Sequence, residues 1–372
     1  MDWILIESDA ALAELLSSAR GSQAVMVDTE FMRRNTFYPQ VALVQLCFVG
    51  SDAAGTAWLV DPLQIEDPSP LVALFENPDV VKVLHSASED LEVFQHWLGV
   101  LPRPLFDTQK AAAMVGLDFG LGYRAMVLEL CGEDLPKGET RSDWLQRPLT
   151  ESQCHYAAQD VIWLLDAYRV IAARCAEQGK YDWVLEDGEM ACQGLASTSG
   201  AYYKKIKSAW KLSPRELATL IAICDWREAT AREKDKPRSW IIDDKACLQL
   251  AQKSPANMNE LRAAVEVHPG TLRRYGESLL DLISEHFSQD NVDLPSSLPA
   301  PLNASQRNKL KRLKQETENI ARQLGVAPQV LVSGKDYEAL IRGDAEQPAA
   351  WSGWRRERVI EPLRAFLDGD AA

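Results

Sequence analysis

The sequence lacks the features that mark secreted, membrane-bound and zinc-binding proteins. Its seven cysteines (47, 131, 154, 175, 192, 224 and 247) are odd in number, widely scattered and never paired as Cys-x-x-Cys. That pattern argues against a zinc site and fits reduced, mostly buried thiols in a cytosolic protein. No uninterrupted apolar run approaches the roughly 20 residues that a membrane helix needs. The opening stretch Met1-Asp2-Trp3-Ile4-Leu5-Ile6-Glu7 has neither a basic start nor a long apolar core, so no signal peptide is expected. With 46% hydrophobic and 25% charged residues, the 372-residue chain is neither disordered nor collagen-like, and its length suggests two or three domains. The expected setting is soluble and cytoplasmic.

Basic charge is also in short supply, with 40 Lys and Arg against 54 Asp and Glu and a net charge of -14. The shortage is local. Residues 1–200 carry 30 acidic and 13 basic side chains, whereas residues 201–372 carry 24 acidic and 27 basic ones. An acidic total therefore does not exclude a nucleic-acid partner.

Residues 24–27, 41–49 and 57–60 have the pattern of three strands at meander spacing, punctuated by Pro39 and the Gly50–Gly55 segment. Residues 80–84 form a fourth strand leading into a helix with Leu91, Val93, Phe94 and Leu98 as its apolar side. Helices follow over Gln109–Val115, Tyr123–Cys131 and Thr150 to about Cys175, the last marked by a Thr150/Gln153 capping box. This is a mixed α/β layout closing near residue 190. Beyond it, residues 197–200 and 288–305 read as linkers, and the rest is helical. Pro237, Trp240 and Ile241 match Pro328, Leu331 and Val332 at a constant offset, so the helical blocks read as two degenerate copies of one small domain. The expected domains are 1–195, 208–287 and 305–367.

The chemistry lies in acidic residues at the ends of elements. Asp28 and Glu30 leave the first strand on one face, because strand side chains alternate. Asp90 falls in the first turn of the helix after strand 80–84. Tyr156 and Asp160, four apart on a capped helix, share a face. A phenol beside a carboxylate can hold and polarise a water. Four clustered carboxylates would repel one another without cations, and oxygen-rich sites suit Mg²⁺ or Mn²⁺. The set reads as a two-metal site of the kind that activates water and stabilises a leaving oxygen in phosphoryl transfer.

Three segments carry a resemblance. Val27-Asp28-Thr29-Glu30-Phe31, His85-Ser86-Ala87-Ser88-Glu89-Asp90-Leu91 and Tyr156-x-x-x-Asp160 resemble the exonuclease motifs of the DEDD superfamily, tyrosine subclass. Within it the chain is similar to the bacterial ribonuclease D family, including Tyr38-Pro39-Gln40, Phe106-Asp107-Thr108-Gln109 and Arg141-Ser142-Asp143-Trp144. Trp226-Arg227 and Arg274-Tyr275-Gly276-x-x-Leu279-Leu280 resemble the HRDC domain. The resemblance implies an RNase H-like exonuclease domain followed by two all-α HRDC-type domains, the second degenerate. The implied activity is metal-dependent 3′→5′ hydrolysis of RNA, releasing nucleoside 5′-monophosphates from tRNA precursors and other small structured RNAs with 3′ extensions. Asp28, Glu30, Asp90 and Asp160 would bind two divalent metal ions, and Tyr156 would orient the attacking water. A monomer with no obligate protein partner is implied.

The sister subclass uses His-x-x-x-x-Asp, and His155 stands at that spacing from Asp160. Five residues at roughly 100° each put His155 about 140° from the Asp160 face, whereas Tyr156 is nearly eclipsed with Asp160, so Tyr156 is favoured. Phe31, His85 and, more weakly, Gln45 adjoin the motifs and are candidates to hold the terminal nucleotide, Phe31 being equally suited to core packing. Arg141 and Lys137 could meet phosphate from a polar loop, and Trp144 reads as that loop's anchor. Lys204, Lys205, Lys207 and Lys211, interleaved with Tyr202 and Tyr203, form a patch suited to RNA. Arg227, Arg232, Lys234, Lys236 and Arg238 form a second patch, equally readable as a solvated helical face. The rivals to an exoribonuclease are a DNA exonuclease with the same chemistry and a catalytically inactive RNA-binding adaptor.

Overall fold

The computed structural model describes residues 2–136, 138, 139, 142–196, 200–288, 294–343 and 348–369. Six strands, β1 (Trp3–Ile6), β2 (Ala24–Met32), β3 (Gln40–Val49), β4 (Ala57–Val60), β5 (Val81–Leu84) and β6 (Leu105–Asp107), form one sheet in the order β1-β4-β3-β2-β5-β6. The β2–β3–β4 meander is antiparallel, and β1, β5 and β6 add in parallel at the two sides. β1 and β6, four and three residues long, were not expected from the sequence. The helices over this part are α1 (Asp9–Ser18), α2 (Ser69–Glu76), α3 (Ser88–Trp97), α4 (Thr108–Met114), α5 (Tyr123–Cys131), α6 (Glu151–Glu177) and α7 (Tyr181–Ala196). α6 starts where the Thr150/Gln153 capping box forms.

Strand alternation sorts β2 between two layers. Ala24 and Met26 pack with Ala158, Val161 and Leu165 of α6, while Val25 and Val27 pack with Leu91 and Phe94 of α3. Even-numbered positions thus face α6 and odd-numbered ones face α3. β2 does not end at residue 27; it continues to Met32, with an irregularity in register between Glu30 and Phe31.

The helical half contains α8 (Pro214–Lys234), α9 (Arg238–Ile241), α10 (Asp244–Lys253), α11 (Met258–Ala264), α12 (Pro269–Ser288), α13 (Ala304–Leu324), α14 (Gly334–Arg342), α15 (Gly353–Arg355) and α16 (Glu361–Gly369). The chain divides into two compact units rather than three at the expected boundaries. One comprises Met1–Met32, Gln40–Ala196 and Leu302–Ala372; the other comprises Arg33–Pro39 and Ser197–Pro301. The C-terminal helices join the sheet unit for specific reasons. Trp354 stacks on Trp183 with ring centroids 4.5 Å apart. The Lys180 Nζ donates to the carbonyls of Met114 (2.8 Å) and Gly325 (2.9 Å). Arg355 holds Asp187 in a two-pronged ion pair, its Nη2 2.8 Å from Oδ2, with both side chains largely buried. Breaking a buried pair strands the remaining charge at a cost of about 3–5 kcal/mol. Arg355→Ala should therefore lower the denaturant midpoint strongly, and a midpoint within experimental error of the parent would contradict this packing.

In the other unit, residues 33–39 are held by the C-terminus of α8. Asp235 takes the left-handed conformation (φ 47°) that ends the helix. Its carboxylate accepts from the amides of Phe37 (2.9 Å) and Tyr38 (3.0 Å), and Phe37 joins the core with Leu217, Leu220 and Ile223. Among the described residues no helix is long and apolar enough to cross a membrane.

Candidate active site

Asp28 and Glu30 are even-numbered on β2 and so lie on the face covered by α6, which presents Tyr156 and Asp160. Asp90 and Asp160 lie near enough to Asp28 and Glu30 for their charges to act on both. Burial, then Asp160, Asp90 and Glu30, push the Asp28 carboxyl well above its ordinary value. Burial, Asp160 and Asp90 raise Glu30 to about 9. Burial raises Asp160 to about 7, against a hydrogen bond from the Tyr156 hydroxyl that favours its ionised form. Asp90 is also raised to about 7 by burial, although Thr29 Oγ1 donates to its Oδ1 at 2.5 Å. Thr29 is odd-numbered and reaches Asp90 from the α3 side of β2. Among the described residues no group of three or more His, Cys, Asp or Glu side chains is drawn in closely enough to hold a metal ion as it stands.

Asp90 is positioned by the turn before it. Ser86 is left-handed (φ 60°), and Asp107 pins that turn by accepting from the amides of Ser86 (3.0 Å) and Ala87 (3.1 Å) while capping α4 through Gln109. Thr108 Oγ1 donates to the Leu84 carbonyl at 3.0 Å, so its 3.0 Å contact to His85 Nδ1 has the imidazole as donor. Burial lowers the His85 pKa, outweighing Asp107 and the Leu121 carbonyl, and keeps the ring neutral. Its Nε2 is left as a buried acceptor without a partner.

Gln45 is fully buried and pairs across the sheet with Asp28, and both ends of its amide lack a partner. Buried polar groups are nearly always satisfied, so unpaired ones beside clustered acids are aimed at something absent. Phe31 is half-buried and belongs to no hydrophobic cluster among the described residues, which disfavours the core reading. Arg141 and Lys137 lie outside the described residues. His155 is exposed, whereas Tyr156 is half-buried with its hydroxyl at Asp160. Burial and the neighbouring acids raise the Tyr156 pKa, so it remains a phenol.

Three positioning residues escaped the sequence reading. The Tyr123 hydroxyl donates to the carbonyls of Asp160 (2.7 Å) and Gln159 (3.0 Å), and its ring meets His85 edge-on at 5.6 Å. Gly138 lies against Tyr156, where a Cβ would sit 1.8 Å from the ring. Arg147 ties the loop before α6 to the sheet through both oxygens of Asp61 (2.6 and 2.7 Å). Trp144, expected as that loop's anchor, is buried, its ring centroid 6.1 Å from that of Tyr156. Gly138 and Tyr123 act through contacts that no local pattern announces.

In the other unit, Lys204, Lys205, Lys207 and Lys211 are exposed beside Tyr202, Tyr203 and Trp210. The second patch is not an open cationic face. Arg227 is 1% exposed and bonded to Asp244 (2.8 Å), while Arg232 and Arg238 both bind Glu228.

Residues 3–174 match the family described as 3′–5′ exonuclease, and residues 216–283 match the HRDC domain. The chain is 42% identical over 370 residues to ribonuclease D of Pseudomonas paraeruginosa, covering 98% of this chain and 97% of that protein. It is 34% identical to ribonuclease D of Escherichia coli, covering 99% of each. The crystal structure of Escherichia coli RNase D, described as an exoribonuclease involved in structured RNA processing, superposes with a TM-score of 0.91 over 99% of both chains at 32% identity.

Proposed function

The chain belongs to the ribonuclease D family, and from that premise we propose that it is a 3′→5′ exoribonuclease that trims 3′ extensions of tRNA precursors and other small structured RNAs to nucleoside 5′-monophosphates. The observation that carries this reading is the convergence of Asp28 and Glu30 of β2 with Asp90 of α3 and Asp160 of α6, each with a raised pKa. The charges acting on Glu30 are other carboxylates, so the cluster is completed by added cations. Hard oxygen donors fit two divalent metal ions, Mg²⁺ or Mn²⁺, held by the four acids. Bound there, such ions supply water activation and leaving-oxygen stabilisation.

The protein's own groups do the rest. The Tyr156 phenol, kept protonated, orients the attacking water beside Asp160. The bare Nε2 of His85 and the unpaired amide of Gln45 accept and donate hydrogen bonds to the terminal nucleotide, and Phe31 stacks on its base. Arg141 is assigned to phosphate from its place in the polar loop before the Tyr156 helix. Lys204, Lys205, Lys207 and Lys211 bind RNA phosphates. We assign the tyrosine subclass because the Tyr156 hydroxyl bonds Asp160 whereas His155 is exposed.

We also read the C-terminal helices as a degenerate second HRDC-like domain. α8 and α13 are both 21 residues long, start with capping boxes at Ser213 and Asn303, and end left-handed at Asp235 and Gly325. In each block a proline then opens a short helical turn, at Pro237 and Pro328, before a side-chain-capped helix begins. The protein acts as a cytoplasmic monomer without an obligate protein partner.

Two tests apply. RNA labelled at its 3′ end should release labelled mononucleotide at once, while 5′-labelled RNA shortens in a ladder; internal cleavage products would refute the reading. Tyr156→Phe should lower the hydrolysis rate about 10²-fold or more, in the range of general acid–base effects, with His155→Ala near the parent. The reverse order would assign the site to the histidine subclass.

A further inference from the structure

Two neighbours decide which nitrogen of His85 carries the proton. Thr108 is fully buried at the first position of α4, and its single hydroxyl proton goes to the Leu84 carbonyl at 3.0 Å. The same oxygen lies 3.0 Å from His85 Nδ1. The network therefore assigns the proton to Nδ1, as donor to Thr108, and leaves Nε2 as the bare, accepting nitrogen. Among the described residues no donor answers that acceptor, for Nε2 is buried without a partner. The Leu121 carbonyl near the ring is itself an acceptor and already takes the Gln109 side-chain amide at 3.1 Å. The Tyr123 ring packs edge-on against the imidazole, but its hydroxyl proton goes to the Asp160 and Gln159 carbonyls.

A neutral imidazole that accepts is selective. It gains nothing from a phosphodiester, whose oxygens only accept, and needs an O–H or N–H on the ligand. The N–H groups of a terminal nucleotide differ from base to base, whereas its sugar hydroxyls are the same at every 3′ end. An enzyme that removes whatever base ends the strand needs the constant group. Tyr123 also ties the imidazole to the turn of α6 that carries Asp160, so the open nitrogen is one tyrosine away from the acids proposed to act on the terminal phosphate.

We propose that His85 Nε2 accepts a hydrogen bond from a hydroxyl of the terminal ribose, and that Thr108 is the positioning residue that holds the imidazole in the form able to accept it. The inference rests on the exoribonuclease reading and deepens it. A bond from the 2′-hydroxyl makes His85 a residue that separates RNA from DNA. A bond from the 3′-hydroxyl makes it a residue that requires a free 3′ end.

Two measurements on the full chain test the proposal. The first is nitrogen-15 NMR of the free protein labelled at its five histidines, with His85 assigned by the signals lost in His85→Phe. At neutral pH the parent should show His85 protonated at Nδ1 and bare at Nε2. Thr108→Val should mix in the Nε2–H form, and Thr108→Ser should keep the parent pattern. A protonated Nε2 in the parent would overturn the proposal. The second compares kcat/KM in Mg²⁺ on one oligoribonucleotide whose last nucleotide alone is ribo, 2′-deoxy or 3′-deoxy. In the parent, removing the bonded hydroxyl should cost about tenfold or more, because Nε2 is then buried unpaired. His85→Phe keeps a ring without an acceptor, and its preference for the ribo end should fall below about twofold, since the coupling vanishes when one partner is gone. Thr108→Val should lose part of that preference and Thr108→Ser should retain it, which a merely structural threonine would not produce. Full preference in His85→Phe, or hydrolysis by the parent with no preference against either deoxy end, would overturn the sugar assignment alone. No hydrolysis of any substrate by the parent would refute the exoribonuclease reading, and this ligand with it.

Discussion

Asp28→Asn and Asp160→Asn should each reduce mononucleotide release by about a thousandfold or more, equivalent to about 4 kcal/mol of transition-state stabilisation, while raising the melting temperature of the metal-free protein. The opposite signs follow from one cause. Asp28 is pushed up by burial and by Asp160, Asp90 and Glu30 together, so the cluster costs folding energy whenever it is ionised. An amide removes that repulsion and also removes an oxygen donor from the proposed metal site. Rate assays on 3′-extended RNA, with calorimetry on chelated samples, check both halves. A variant that is inactive and also less stable would indicate that Asp28 or Asp160 supports the fold rather than the chemistry.

The second large effect is the dependence of stability on pH and metal. Burial raises Asp90 and Asp160 to about 7, with Glu89 and Asp107 adding to the rise at Asp90, and burial, Asp160 and Asp90 raise Glu30 to about 9. For a carboxyl raised on folding, the folded state binds the proton more tightly than the unfolded chain. Its stabilisation is complete below the ordinary carboxylate range and is lost as pH rises through the folded value. The chelated protein should therefore lose stability progressively from about pH 4 to pH 9, most steeply between about 5 and 6, where these carboxyls are still protonated in the folded state and already ionised in the unfolded chain. Saturating Mg²⁺ should flatten that decline, because ions that bind only the folded, ionised site stabilise it by mass action: about 2.7 kcal/mol at a hundred times the dissociation constant. Mg²⁺ should also bind more tightly as pH rises, since protons and cations compete for the same oxygens. Thermal melts in chelator and in Mg²⁺ across this range measure the effect. A chelated melting temperature that rises between pH 6 and 9 would contradict the picture of mutually repelling, buried acids.

Much of the site could be read from the chain alone because its residues obey local periodicities. Asp28 and Glu30 share a face by strand alternation, Tyr156 and Asp160 by helical spacing, and the Thr150/Gln153 box marks the start of the helix that carries the second pair. The helical angle that favoured Tyr156 over His155 corresponds to a half-buried ring and an exposed imidazole. What local pattern could not supply is tertiary. β1 and β6 are too short to show a period, and β2 runs past its apolar stretch because the acids themselves sit within the strand. Tyr123 and Gly138 matter through contacts to elements far along the chain. Arg227 looked like part of a solvated cationic face, yet it is buried, because Asp244 and the Ile242 carbonyl satisfy one of its nitrogens and the Tyr202 ring covers the guanidinium. The linker at 288–305 suggested a third body, but contacts at Trp183, Lys180 and Asp187 join the last helices to the sheet unit.

The measurement that bears most directly on the central claim is product analysis of a 3′-extended tRNA, in parallel with single-stranded DNA, incubated with the full chain in Mg²⁺ and in chelator. The account predicts nucleoside 5′-monophosphates from the 3′ end of the RNA in Mg²⁺, and none in chelator. Undiminished release in chelator, or no release from either substrate with Mg²⁺ present, would contradict it.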